Sequence, residues 1–256
     1  MKITQIRNAT QHLSYGGTRF LIDPMLSAKG AFPGFPGTIN DDLANPLTDL
    51  PLPLDQIVDV DAVFVTHLHE DHWDSAAVDA LPKDLPIIVP TDLVAEGIRG
   101  AGFTDVRVVG DGLEFNGISL VATDAVHGVE AVTQAFPPEF LHVGGAVFSH
   151  PKEKTLYLVA DSVWYDKISE AIAAHSPEVI IVNCGNAQAF GMGRLIFNAS
   201  DVHEVHKAAP EATLVGTHME AVNHCVLTRS GMGTYAEQHG FGDKMLLPAD
   251  GETVAL

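Results

Sequence analysis

The chain has 256 residues, 46% of them apolar and 18% charged, a composition that supports a packed core and excludes wholesale disorder. Fourteen Lys and Arg face 33 Asp and Glu, and the net charge of −19 lacks the basic footprint of a nucleic-acid binder and disfavours an anionic membrane surface. Two cysteines, Cys184 and Cys225, exclude a disulfide framework and thiolate-held zinc, and read as small packed apolar residues.

The opening M-K-I-T-Q-I-R-N carries no apolar signal run and no later stretch reaches bilayer length, so a cytoplasmic location is expected. Strands are predicted at Ile3 to Arg7, Leu13 to Tyr15 and Thr18 to Ile22, the last two joined by a Gly16-Gly17 turn and leading to Asp23-Pro24. Residues 25–56, with F-P-G-F-P-G and L-P-L-P, form a long loop expected to act as a lid or an oligomer contact. A-V-F-V-T (62–66) is apolar without alternation, as in a strand buried on both faces. Asp74 or Ser75 can cap a helix over 75–80. A strand at Ile87 to Val89 and a helix near 92–99 that stops at Gly100 follow. Strands are expected at 105–109 and 118–123. Another runs from Ala146 to Ser149 and turns at P-K-E-K into Thr155 to Val159. A helix near 165–174 leads to a strand at Val179 to Val182. A helix from Ser200 leads to a strand at Thr213 to Val215, and a last strand lies near 245–247. No repeat is visible. The alternation, begun by β-meanders, points to an α/β (α+β) chain of stacked sheets with helices outside, one domain over 1–256.

Thirteen histidines are about twice the average usage. Four potential ligands fall in His67-Leu68-His69-Glu70-Asp71-His72, directly after the apolar strand. Residues two apart in extended chain point the same way, so His67 and His69 can grip one ion. A turn after them lets Asp71 and His72 face a second position nearby. Imidazole and carboxylate donors suit zinc, manganese or iron. The alternative, a His-rich surface loop, fits poorly with a strand this apolar, which should deliver the loop to a sheet end.

The segment resembles the H-x-H-x-D-H signature of the metallo-β-lactamase superfamily. That family's later ligands, a His, a bridging Asp and a final His, fall at strand ends. Asp124-Ala125-Val126-His127, Ala160-Asp161-Ser162 and Gly216-Thr217-His218 match them in order and spacing. The resemblance covers nearly the whole chain and implies a four-layer αββα sandwich. It implies His67, His69 and His127 on a first metal, Asp71, His72 and His218 on a second, and Asp161 bridging them. Two divalent ions are therefore expected, zinc foremost, with manganese or iron as alternatives. They would generate a hydroxide near neutral pH, oriented by Asp71, with Asp71 and Asp161 the catalytic carboxylates. The expected reaction is hydrolysis of a small-molecule ester, lactone, amide or phosphate ester. A mononuclear iron dioxygenase-type redox enzyme and a phosphodiesterase are the alternatives. A small-molecule substrate is the expected partner, with neither nucleic acid nor membrane, and self-association is left open. The opening I-T-Q-I-R-N-A-T-Q-H-L-S-Y-G-G-T-R-F-L-I-D-P looks like that of the UlaG-like branch, which includes ascorbate-phosphate lactonases. Where that branch has Gly-His-Ala/Ser, this chain has Arg7-Asn8-Ala9-Thr10, so the lactonase substrate is not carried over.

The resemblance places Asp23 behind a metal-bound His, fixing its tautomer; the competing reading is a turn-forming Asp before Pro24. His142 and His150 rival His127 but lack its preceding D-A-V. Asp74 reads as a cap, Glu70 as solvent-facing, and His203, Glu204 and His206 as a solvated helix face. His224 and Glu220 follow the last ligand closely, and His224 is a candidate substrate contact. His12, His175 and His239 carry no signal, and Cys184 reads as core. Loops 25–56, 129–140 and 184–198 are expected to set substrate choice.

Overall fold

A computed structural model describes residues 1–256. The first half builds β1 (Lys2–Arg7), β2 (Thr10–Tyr15), β3 (Thr18–Ile22), α1 (Leu54–Ile57), β4 (Ala62–Phe64), α2 (Ser75–Ala80), β5 (Ile87–Val89), α3 (Asp92–Gly100) and β6 (Val106–Val108). Next come β7 (Leu113–Phe115), β8 (Ile118–Asp124), α4 (Glu130–Ala135), β9 (Gly144–Ser149), β10 (Leu156–Leu158), α5 (Asp166–His175) and β11 (Val179–Asn183). The chain closes with β12 (Gln188–Ala189), β13 (Gly193–Arg194), α6 (Ala199–Ala208), β14 (Thr213–Thr217), α7 (Arg229–Gln238), β15 (Met245–Leu246) and β16 (Thr253–Ala255).

Two seven-stranded sheets form, in the orders β16-β1-β2-β3-β4-β5-β6 and β15-β14-β11-β10-β9-β8-β7. In each, an antiparallel meander gives way to parallel strands: β3 with β4, β5 and β6, and β10 with β11, β14 and β15. The parallel strands are apolar on both faces because both faces are covered. Ala62 and Phe64 enter the core between the sheets while Val63 and Val65 face α2 and α3; Val179 and Ile181 point inward while Ile180 and Val182 face α5 and α6. Three apolar slabs thus separate four layers, helices–sheet–sheet–helices, the αββα sandwich expected. No helix is long and apolar enough to cross a membrane.

Helix starts follow side-chain chemistry. Asp74 accepts from the Ala77 N–H (2.8 Å), Asn198 from Asp201 (2.9 Å) and Thr228 from Gly231 (3.0 Å), each satisfying an otherwise orphaned donor. Seven elements escape the sequence reading: α1, β7, α4, β12, β13, α7 and β16. Helix α7, R-S-G-M-G-T-Y-A-E-Q, carries two glycines that weaken its propensity. Its Thr228 cap and the burial of Met232 and Ala236 compensate. Residues 25–56 are tied to the first strand. Arg7, fully buried, donates to the carbonyls of Met25 (2.7 Å), Ser27 (2.8 Å) and Thr48 (2.9 Å).

Candidate metal centre

The strand ends of both sheets converge at one edge of the sandwich. His67, His69, Asp71 and His72 follow β4, His127 follows β8, Asp161 follows β10 and His218 follows β14. The seven expected side chains come together, and all but His69 are buried. They fall into overlapping groups, His67–His69–His127, His67–His72–Asp161 and Asp71–His72–His218, each with donor atoms within 4.8 Å of one another. His67 Nε2 lies 3.1 Å from His69 Nδ1, His72 Nε2 lies 2.9 Å from His218 Nε2, and Asp71 Oδ2 lies 3.1 Å from His218 Nε2. Asp161 Oδ2 is 3.3 Å from His72 Nε2, 3.8 Å from His67 Nε2 and 3.9 Å from His127 Nδ1, so it stands between the two groups.

This spacing fits metal. Donors about 2.0–2.1 Å from one zinc at tetrahedral corners stand about 3.3–3.4 Å apart, within the 2.9–3.9 Å spread of these donor pairs. Nitrogens facing nitrogens across such distances make poor hydrogen bonds to each other and good joint ligands.

The imidazoles are anchored by their other nitrogen, as metal-binding histidines are. His72 Nδ1 lies 2.8 Å from Asp23 Oδ2, and His67 Nδ1 lies 2.9 Å from Thr66 Oγ1. Thr66 in turn donates its hydroxyl to Asp23 Oδ2 (2.8 Å) and its N–H to Asp23 Oδ1 (2.7 Å). One carboxylate thus orients two rings, and Asp23 is far more than a turn former. His69 Nε2 meets the Phe140 carbonyl at 2.7 Å, and His127 Nδ1 the Leu195 carbonyl at 3.2 Å. His218 Nδ1 lies 3.4 Å from Cys225 Sγ. Asn183 donates to Asp161 Oδ1 (2.7 Å), and Asn8 to the Asp71 carbonyl (3.0 Å).

Charge follows the same logic. Burial raises the Asp71 and Asp161 carboxyls, but His72 and His218 beside them hold both well below the usual range. Burial opposes a charged His72, yet Asp161, Asp71 and Asp23 push it up to about 10; His218 is raised likewise, mainly by Asp161. Burial lowers His67 and His69, and brings His127 down to about 4. The carboxylates therefore demand positive charge between them, while three imidazoles stay neutral with lone pairs to offer. A divalent cation answers both requirements.

Backbone strain collects here. Asn8, Asp23, Ala160 and His218 have φ of 54°, 42°, 66° and 60°, uncommon for residues with a Cβ and concentrated at this edge. Gly185 is required by close approach: a Cβ there would lie 1.9 Å from the His218 carbonyl oxygen.

A cavity of about 500 Å³ opens above the cluster. Its floor holds His69, Asp71, His127 and Asp161, and its walls include Phe35, Leu68, Leu93, Phe136, Phe140 and Leu195. All three loops expected to shape substrate choice contribute wall residues. Segment 35–38 is pinned by Asn223, whose side chain accepts from the Phe35 N–H and Asn45 and donates to Thr38 Oγ1 and the Ile39 carbonyl. His224 lines the cavity; His142, bonded to Thr91, does so too, while His150 sits by Tyr15, far from the cluster in the fold. Glu70 is exposed at the rim, Asp74 caps α2, and Cys184 is packed in the core. Cys225 departs from the expectation of a packed core thiol: it is half-buried and rests against His218. His203 and His206 are not simply solvated but stack on Phe241. Sequence reading missed Thr66, Asn183, Cys225 and Asn223. The first two carried a signal, as polar residues closing the apolar runs A-V-F-V-T and V-I-I-V-N.

Strand-end His and Asp donors between two sandwiched sheets define the beta-lactamase superfamily, whose domain model matches residues 18–219. Within it, the chain belongs to the UPF0173 family. It is 46% identical to UPF0173 protein YddR of Bacillus subtilis (strain 168) over 254 residues, 99% of each chain. A UPF0173 metal-dependent hydrolase of Agrobacterium fabrum is 23% identical over 195 residues, 75% of this chain and 76% of the relative. The crystal structure of an isothiocyanate hydrolase from Delia radicum gut bacteria is 42% identical, covers 100% of this chain and 99% of its own, and superposes with a TM-score of 0.96.

Proposed function

We propose that this protein is a metal-dependent hydrolase of small, uncharged electrophiles bearing an apolar tail, isothiocyanates foremost. The carrying observation is the composition of the cavity: aromatic and aliphatic walls, a His/Asp floor, and no Lys or Arg among its lining residues. With no Lys or Arg to add charge-assisted hydrogen bonds to a phosphate, the lining favours a neutral substrate over phosphodiesters and phosphorylated lactones. The 42% identity to an isothiocyanate hydrolase supports the same substrate class.

His67, His69 and His127 would hold one divalent ion, Asp71, His72 and His218 a second, with Asp161 serving both; zinc suits this donor set best. When bound, such ions supply Lewis acidity and a water acidified to a pKa of about 7. Asp71, fixed by His218 and open to the cavity, accepts a hydrogen bond from the attacking water and orients it. The water oxygen bonds to the central carbon of R–N=C=S while one of its protons reaches nitrogen and the other sulfur, giving R–NH–C(=O)–SH. The C–N bond then breaks as the thiol proton moves to nitrogen, releasing R–NH₂ and O=C=S. The apolar walls hold the tail and exclude competing water.

The test is depletion of benzyl isothiocyanate, followed by its ultraviolet absorbance, by zinc-loaded protein, chelator-stripped protein and His69→Ala. Turnover confined to the loaded wild type is expected. Loaded protein that spares benzyl isothiocyanate but cleaves a phosphodiester or lactone would overturn the proposal.

A further inference from the structure

His224 is the one cavity-lining imidazole outside the metal-binding groups that remains unspent. It is 6% exposed, and its Nδ1 has no hydrogen-bond partner. That nitrogen is itself enclosed, so Nε2 is the ring nitrogen left to face the cavity, and a phenyl ring would fill the same place without leaving a buried polar atom unpaired. The ring's edge-to-face packing on Phe35, 5.0 Å between centroids, uses its shape and not its nitrogens. His142, also in the wall, bonds Thr91, and His69 and His127 bond carbonyls.

The position of His224 is also defended. Its neighbour Asn223 is tied on one side to Asn45, Thr38 and Ile39. On the other, Cys225 rests on His218, and the His224 carbonyl accepts from the Gln188 N–H (3.0 Å). The imidazole is therefore held at a set place in a largely apolar wall, on the same segment as the candidate ligand His218. Fixed polar groups in apolar pockets orient ligands.

We propose that His224 is a specificity-determining substrate contact that hydrogen-bonds the polar end of the substrate, the N–C–S group, and so directs its central carbon to the floor. In the reacting isothiocyanate, negative charge moves onto nitrogen and sulfur as the water oxygen bonds to carbon. An Nε2–H hydrogen bond to that end strengthens as the charge grows. The inference rests on the hydrolase reading for its substrate class, but the contact itself is read by binding.

The experiment compares wild type, His224→Phe and His224→Gln, all zinc-loaded. His224→Phe keeps the ring that packs on Phe35; His224→Gln restores a hydrogen-bonding group. Metal content and thermal midpoint check that each variant folds and loads. N-benzylthiourea, a stable mimic with an apolar tail and a planar N–C(=S)–N end, is titrated by calorimetry, and benzyl isothiocyanate is used for turnover. His224→Phe should bind N-benzylthiourea about 10-fold more weakly and lose about 10- to 100-fold in kcat/KM, with His224→Gln recovering part of both. Equal affinity in wild type and His224→Phe, or no binding by wild type, overturns the contact. Wild type that binds N-benzylthiourea through His224 but leaves benzyl isothiocyanate intact upholds the contact and sinks the substrate reading alone.

Discussion

Replacing Asp23 by Asn should weaken both ion positions at once, although Asp23 offers no atom to either. In the native arrangement Oδ2 accepts from His72 Nδ1 and the Thr66 hydroxyl, while Oδ1 accepts the Thr66 N–H. An amide of the same shape has only one acceptor. If its oxygen keeps the Thr66 N–H, its NH₂ points at His72 and at the hydroxyl, both of which were donors. His72 must then move its proton to Nε2, the nitrogen that faces Asp71, Asp161 and His218. The hydroxyl turns to donate to His67 Nδ1, which sends the His67 proton to the Nε2 beside His69. The opposite flip sets the NH₂ against the Thr66 N–H. Loss of an orienting partner costs about 10–100-fold in metal affinity, equal to about 1.4–2.7 kcal/mol. Competition with a chromophoric chelator, with metal content measured in parallel, reads this directly. Thr66→Val, which removes the hydroxyl joining Asp23 to His67 but keeps the bond between Asp23 and His72, should weaken one ion and spare the other. Affinities within twofold of wild type for both ions in Asp23→Asn would refute the tautomer argument.

Three further outcomes test other parts of the structure. Asn223→Ala removes four side-chain hydrogen bonds, about 2–4 kcal/mol of docking at roughly 0.5–1 kcal/mol each. Amide exchange across residues 32–45 should rise about 100-fold with metal content unchanged; unchanged exchange would show that the segment is held by something else. Gly185→Ala drives a methyl against the His218 carbonyl, which is backbone and cannot swing aside, so a loss of about 1–3 kcal/mol in denaturant unfolding is expected. Wild-type stability would contradict the close approach. Asp105 is held below its ordinary value by a two-pronged hydrogen bond from Arg107, Nε and Nη2 each 2.8 Å away. Its contribution is therefore present above the unfolded value near 3.8 and fades as pH falls through the lower folded value. The pair is about a third exposed, so Asp105→Asn should cost under about 1 kcal/mol at pH 7, and the gap from wild type should close in acid.

The metal cluster was legible because each ligand sits directly after an apolar run. A strand buried on both faces ends at a sheet edge, and the next residue is delivered there whatever follows. The layer order was legible for the same reason, since unbroken runs such as V-I-I-V and A-V-F-V require cover on both sides. The cavity was not. Phe35, Phe136 and Phe140 lie in segments without periodicity, and long-range bonds such as those from Asn223 to Asn45 and Thr38 decide where they rest. Cys225 was misjudged because composition describes a cysteine's preference for burial and says nothing of a neighbouring imidazole. Asn8 shows the intermediate case. It marked a departure from the UlaG-like pattern, but only coordinates place its amide against Asp71 and leave its Oδ1 without a partner.

The net charge of −19, which first excluded nucleic acid, also bears on what enters and leaves the cavity. Its rim carries Glu70 and Glu139 and its lining offers no Lys or Arg, so divalent ions on the floor would be the one strong positive field facing a ligand. Two ions seated behind an acidic rim would attract a polarisable neutral group at contact distance, while an approaching anion meets the negative rim first. In the proposed reaction a neutral isothiocyanate enters past that rim without penalty. The amine released is protonated in water near neutral pH, is repelled by the ions and is drawn to the rim carboxylates. A charge pattern that disfavours phosphorylated substrates would thereby favour product departure, and substituting Lys for Glu70 and Glu139 together should slow release of amine and lower kcat more than it changes substrate capture.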